Sequence, residues 1–168
     1  MTDYNNKQPR GGERVHNMAS SLVKIDIHLI FHVKTTGVEM RAEDLPRIFQ
    51  YIGGVIKGLD GIPMEIGGIT NHVHVLTSLP KTRALTDFVR DVKSNSSKWI
   101  RQLDKYYARF SWQDGYGAFS VSPSLLDKTI AYIRQQKEHH QKRSFEEEYK
   151  LFLKGHGVSY DERYVFKD

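Results

Sequence analysis

A chain of 168 residues, 39% hydrophobic and 27% charged, is the size of one domain and long enough to bury a core. Cysteine is absent, which removes disulfides, thiolate metal sites and a thiol nucleophile, and leaves histidine, carboxylate and amide groups as possible ligands. No apolar run approaches the roughly 18 residues of a membrane span and no signal peptide is evident, so the expected location is the cytoplasm.

The net charge of +5 is concentrated rather than spread, because residues 81–109 alone hold 8 basic and 3 acidic side chains. Such a segment is either a solvated helix face or a surface for phosphates. In chain order, residues 1–19 carry Pro9, Gly11 and Gly12 without periodicity and read as a flexible arm, with residues 20–168 as a single domain. Leu22 to Val33 alternates, placing Ile27, Leu29, Phe31 and Val33 on one face and Asp26, His28, Ile30 and His32 on the other, the pattern of a strand.

Glu43 to Lys57 has helical spacing, with Pro46 tolerable in the first turn. Ile62 to Ile69 and His72 to Leu79 read as an antiparallel pair joined at Thr70-Asn71, with the Gly67-Gly68 doublet weakening the first strand or marking a bulge. Leu85 to Leu103 is an amphipathic basic helix, and Tyr116 to Val121 is a fourth strand. Ser122-Pro123 opens a third helix reaching about His140, Phe145 to Lys154 forms a short helix with an acidic head, and Ser159 to Phe166 reads as an edge strand. This order predicts an α+β fold on the ferredoxin-like βαββαβ plan, an antiparallel sheet with helices on one face, the other face open, and an additional C-terminal helix.

His72 and His74 stand two apart on the third strand, so both imidazoles leave one face and can converge on a cation. Alone the pair is a weak signal, since a chain with this many histidines produces about 0.4 such pairs by chance. On the third helix Tyr132, Gln136 and His139 share a face, which reads either as a half-buried tyrosine with polar neighbours or as part of the same site. His28 and His32, on the polar side of the first strand, could line that site or serve ordinary hydrogen bonding. Lys93, Ser97, Lys98 and Arg101, within the basic segment, are candidates for contacts to a phosphate backbone. The aromatic cluster from Tyr106 to Phe119 reads first as core, with Trp112 and Tyr116 as possible platforms for unpaired bases.

Taken in order, Ile27-His28-Leu29-Ile30-Phe31-His32-Val33-Lys34, Asn71-His72-Val73-His74-Val75-Leu76, Lys93-Ser94-Asn95-Ser96-Ser97-Lys98-Trp99, Trp112 to Ser122, Tyr132 to Gln136 with Glu138-His139-His140, and Phe145 to Tyr149 form a connected set. The chain thereby resembles the single-tyrosine HUH transposases of the IS-two-hundred/IS-six-hundred-and-five type, which move insertion sequences as single-stranded DNA. The resemblance implies His72 and His74 as metal ligands, Tyr132 as catalytic nucleophile and Gln136 as third ligand, with His139 and His28 as possible additional site residues. It also implies strand cleavage through a 5′-phosphotyrosine, rejoining without a nucleotide cofactor, and single-stranded DNA with subterminal hairpins as partner. The resemblance further implies association with the nucleoid of a prokaryote and a homodimer whose active sites are shared between chains in many relatives, although other relatives act as monomers.

The residue types suit that chemistry. A phenol is about 0.1% ionised at neutral pH and a phosphodiester repels anions, and a divalent cation offsets both problems. Nitrogen and oxygen donors without thiolate suit Mg²⁺ or Mn²⁺, with Zn²⁺ or Ni²⁺ also able to bind. The alternatives are a rolling-circle nicking protein of the same chemistry and a non-catalytic nucleic-acid-binding module on the same plan.

Overall fold

The computed structural model describes residues 21–136 and 144–165. Four antiparallel strands, β1 (Asp26–His32), β2 (Ile62–Ile69), β3 (His72–Ser78) and β4 (Gly117–Ser120), form one sheet in the order β2-β3-β1-β4. Two helices, α1 (Leu45–Gly58) and α2 (Leu85–Leu103), make the crossovers, which gives the ferredoxin-like α+β plan expected from the element order.

The alternation in β1 and β3 divides the molecule. Ile27, Leu29, Phe31 and Val33 join Val73 and Val75 in one core with Ile48, Ile52 and Ile56 of α1 and Phe88, Val89, Val92 and Ile100 of α2. Tyr107, Phe110 and Trp112 extend the same core. Trp112 is buried and its indole N–H donates to Ser96 Oγ, which excludes it as an exposed stacking platform.

The opposite sheet face is not open. The C-terminal half covers it with α3 (Leu126–Arg134) and α4 (Phe145–Gly155), and Ile30, Phe119, Tyr149 and Leu153 form a second cluster there. The short β4 pairs with the middle of β1 and returns the chain to this side. Ser144 then starts α4 with a reciprocal capping box, its hydroxyl accepting from Glu147 N–H while the Glu147 carboxylate accepts from Ser144 N–H.

Two other expectations change. The Gly67-Gly68 doublet does not mark a bulge, because its pairing with His74 and Val73 is continuous and the irregularity lies between Pro63 and Glu65. The glycines serve proximity instead. A Cβ at Gly67 would lie 2.6 Å from the Ile133 carbonyl oxygen of α3, and one at Gly68, where φ is +150°, would lie 2.2 Å from the His72 carbonyl oxygen. The expected edge strand from Ser159 onward is also absent among the described residues, where a helical turn, α5 (Glu162–Val165), stands. The third helix, expected to run to about His140, instead ends at Arg134 with Gln135 as its cap, and the proposed arm at 1–19, His139 and His140 lie outside the described residues.

Candidate metal centre and nucleophile

His72 and His74 leave β3 on the face covered by α3 and α4, and both are fully buried. Their two-residue spacing gives the shared face, while sheet pairing fixes the height, with His74 opposite Ile30 of β1 and Gly67 of β2. Because Gly67 has no side chain, α3 sits close against the sheet at Ile133 and brings Tyr132 and Gln136 over the histidines. Gln136 is 1% exposed, and the Tyr132 ring centroid lies 5.8 Å from that of His74 and 6.3 Å from that of His28. Four expected site residues thus meet within one chain.

Hydrogen bonds define which atoms face inward. The Asn71 side-chain oxygen accepts only, so His72 Nδ1–H donates to it at 2.7 Å and the Nε2 lone pair points into the site. That nitrogen lies 3.4 Å from Gln136 Oε1. The amide orientation follows from its other end, where Nε2 donates toward the Tyr132 carbonyl at 3.5 Å and Glu148 Oε1 at 3.3 Å. Two lone pairs facing each other at such a distance suit a cation between them, since ligands of Mg²⁺ sit about 2.1 Å from the ion.

Glu148 was not among the expected residues. It projects from α4, is 7% exposed, and places Oε1 3.8 Å from His74 Nε2. The ligand atoms of His72, His74 and Glu148 all lie within 4.8 Å of one another, so the site includes a carboxylate as well as neutral donors. Burial pushes the Glu148 carboxyl up to about 7. Its sequence signal lies in the spacing of α4, where Phe145, Glu148, Tyr149 and Phe152 form one stripe at i, i+3, i+4 and i+7. A carboxylate inside an otherwise aromatic stripe marks a group buried for a purpose.

His28 belongs to the same cluster. Its Nε2 is 2.9 Å from His74 Nδ1, and burial, with a smaller contribution from the positive charge of His156, pushes its pKa down to about 3. His32 differs in role, its Nδ1–H donating to the Val33 carbonyl at 2.6 Å. A cleft of about 350 Å³ opens beside Tyr132, lined by Phe119, Phe152, His156 and Lys128 among others.

The candidate DNA contacts lie elsewhere. They are on α2, across the sheet from the histidines. Lys93 is largely committed to the fold, its ammonium donating to the carbonyls of Gln113, Asp114 and Gly115 at 2.6, 3.0 and 2.9 Å, and burial pushes its pKa down to about 8. Arg101 donates to Ser97 Oγ and to the Phe110 carbonyl. Lys98 is exposed.

The sequence profile of the family described as "Transposase IS200 like" matches residues 21–136, a span that holds His28, His72, His74, Tyr132 and Gln136 but stops short of Glu148. Among solved structures, a candidate transposase from Deinococcus radiodurans superposes with a TM-score of 0.55 at 17% identity, covering 70% of this chain and 94% of that one. A REP-associated tyrosine transposase bound to a REP hairpin gives a TM-score of 0.54 at 12% identity, covering 83% of this chain and 74% of that one. At those identities the likeness is one of fold. No curated protein matches the chain. No described helix is long and apolar enough to cross a membrane.

Proposed function

Because the chain belongs to the IS200-like transposase family, we propose that it is a metal-dependent HUH transposase. In this reading it cleaves and rejoins single-stranded DNA through a phosphotyrosine at Tyr132, so mobilising an insertion sequence by DNA recombination. The observation that carries this reading is the meeting, in one chain, of His72, His74, Gln136 and Glu148 beside the Tyr132 ring.

The residues present fit a divalent ion such as Mg²⁺ or Mn²⁺, which would be held by His72 Nε2, His74 Nε2, Gln136 Oε1 and a Glu148 oxygen. When bound, the ion supplies positive charge to a phosphodiester and steadies the developing charge of phosphoryl transfer. Tyr132 supplies the nucleophile. Its phenolic oxygen forms a bond to phosphorus while the bond to the 3′ oxygen breaks, the phenolic proton leaves to solvent, and the 3′ oxygen departs as a hydroxyl after protonation. Attack by a 3′-hydroxyl then reverses the exchange, so the number of phosphoester bonds is unchanged throughout. Asn71 and Glu148 hold His72 and Gln136 with their ligand atoms turned inward, which limits the reorganisation needed at the moment of reaction.

Single-stranded DNA with subterminal hairpins is the substrate we assign, bound on the cytoplasmic nucleoid, with a homodimer as the assembly that holds two element ends. The placement of Tyr132 beside its own chain's His74 favours catalysis in cis. Of the four α2 residues put forward for backbone contacts, Lys98 retains that proposed role best, because Lys93, Ser97 and Arg101 bond within the fold. The test is incubation with end-labelled single-stranded DNA carrying such hairpins and Mn²⁺, followed by denaturing electrophoresis. A covalent adduct that disappears with Tyr132→Phe supports the proposal, and an adduct that survives it overturns the assignment of the nucleophile.

A further inference from the structure

His72 and His74 would hold the candidate ion through the same ring atom, Nε2, but their outer nitrogens meet different partners. His72 Nδ1–H has the side-chain oxygen of Asn71 at 2.7 Å, a partner half-buried at the β2–β3 turn. His74 Nδ1 has the ring nitrogen Nε2 of His28 at 2.9 Å, and His28 is 2% exposed. A neutral imidazole has one N–H and one lone pair, so the outer bond decides which nitrogen is available inside. For His74 to offer Nε2, its proton must stand on Nδ1, and His28 Nε2 is placed at hydrogen-bond distance to receive it there.

We propose that His28 is a positioning residue for the metal centre: by accepting the His74 Nδ1–H it holds His74 in the tautomer and orientation that turns Nε2 toward the ion. This rests on the reading of His72, His74 and their neighbours as the metal site. His28 touches neither the ion nor the substrate and acts through His74.

Its surroundings make the role hard to replace. His28 stands on β1 directly opposite Leu76 of β3 and Phe119 of β4, so the backbone on both sides is fixed by pairing. Phe152 of α4 packs edge-on against its ring at 5.1 Å, and the Tyr132 ring lies edge-on at 6.3 Å. With the ring clamped in this way, a proton acceptor is held at one point in space. Asn71 is half-buried and within reach of water when it is removed, whereas His28, which lines the cleft beside Tyr132, is only 2% exposed and its acceptor is held by the rings around it.

The experiment compares Mn²⁺ affinity by titration calorimetry for the wild type, His28→Phe, His28→Gln and Asn71→Ala, with thermal unfolding of each. His28→Phe keeps a ring of similar shape but no acceptor, and is expected to weaken Mn²⁺ binding about 10- to 100-fold, the usual effect of losing an outer-shell partner. His28→Gln places an amide oxygen close to the position of His Nε2 and is expected to restore affinity to within about threefold of wild type, while Asn71→Ala falls between. Should His28→Phe bind Mn²⁺ as the wild type does, or His28→Gln bind as weakly as His28→Phe, the proposal is overturned.

If His28→Phe does not fold, the wild-type protein still decides the matter. In its Zn²⁺-loaded form a nitrogen–nitrogen coupling through the hydrogen bond between His74 Nδ1 and His28 Nε2 is expected by NMR, and its absence rejects the role. Failure of the underlying metal site has a different signature, namely that the wild type and His72→Ala bind Mn²⁺ equally.

Discussion

Gln136 donates through Nε2 to Glu148 Oε1 across 3.3 Å, and this bond between the segment just past α3 and α4 itself leaves the amide oxygen of Gln136 facing His72 Nε2. A carboxylate on α4 therefore both closes the cluster of candidate ligands and orients another of its members. Removing only its charge should separate the two effects. Glu148→Gln keeps an acceptor for Gln136 but loses the anionic donor, and we expect Mn²⁺ affinity measured by calorimetry to fall about tenfold or more. Unchanged affinity would limit Glu148 to orienting the amide.

The same group sets a pH dependence in the metal-free protein. Burial raises its pKa from 4.5 to about 7, so the fold favours the uncharged form. Below about 4.5 the group is protonated in both folded and unfolded chains and costs nothing. As pH rises through the window to about 7 the unfolded chain releases its proton first, and stability falls by roughly 3 kcal/mol in full. Urea unfolding in chelator should therefore find Glu148→Gln more stable than wild type at pH 8 and close to it at pH 4.5. Mn²⁺ should reverse the order at pH 8, since the wild type then gains the larger binding energy.

Glycine positions give opposite predictions according to their surroundings. Gly67→Ala forces Cβ into the Ile133 carbonyl and side chain, and should cost about 1–3 kcal/mol while pushing α3 off the sheet and weakening adduct formation. Gly54, exposed on α1 with nothing within 4 Å of an added Cβ, should accept alanine with a gain of about 0.5–1 kcal/mol and no change in activity. Denaturant unfolding of both variants, beside the adduct assay, checks the pair.

Two lysines five residues apart on α2 should also behave differently. Lys93→Met removes three donated hydrogen bonds to the loop at Gln113–Gly115, whose Gln113 side chain in turn accepts from His32 N–H, and should lower the unfolding midpoint. Lys98→Ala should leave the midpoint within experimental scatter and reduce the salt dependence of DNA binding by about one charge. DNA affinity at several salt concentrations separates the two roles, and an unchanged slope for Lys98→Ala would remove it from the interface.

The sheet and the α1/α2 core were legible because Ile27 to Val33 and Val73 to Val75 alternate cleanly and Phe88, Val92 and Ile100 repeat at helical spacing. Strand and helix periods showed that His72 and His74 share one face and Tyr132 and Gln136 another, while their reading as one set came from the resemblance to the single-tyrosine HUH transposases. Glu148 was hidden among three consecutive glutamates, where charge suggests solvent and only the aromatic stripe around it argues for burial. The closed face was illegible for a related reason. Nothing in the local pattern of α4 states which surface it covers, and that depends on tertiary contacts of Tyr149 and Leu153 with Phe119 and Ile30. The real use of Gly67 was equally non-local, since its neighbour Ile133 is far along the chain.

The order of the cluster along the polypeptide has a consequence for synthesis. The histidines are made first, on β3 of the β2–β3 hairpin, and Tyr132, the proposed nucleophile, follows about 60 residues later, some 3–12 s at the usual elongation rates of about 5–20 residues per second. Glu148 follows on α4, whose start is capped locally by Ser144 and Glu147. A nascent chain therefore holds the proposed ligands and the proposed nucleophile apart until all of these segments have been made, and a product truncated before α4 carries Tyr132 without Glu148.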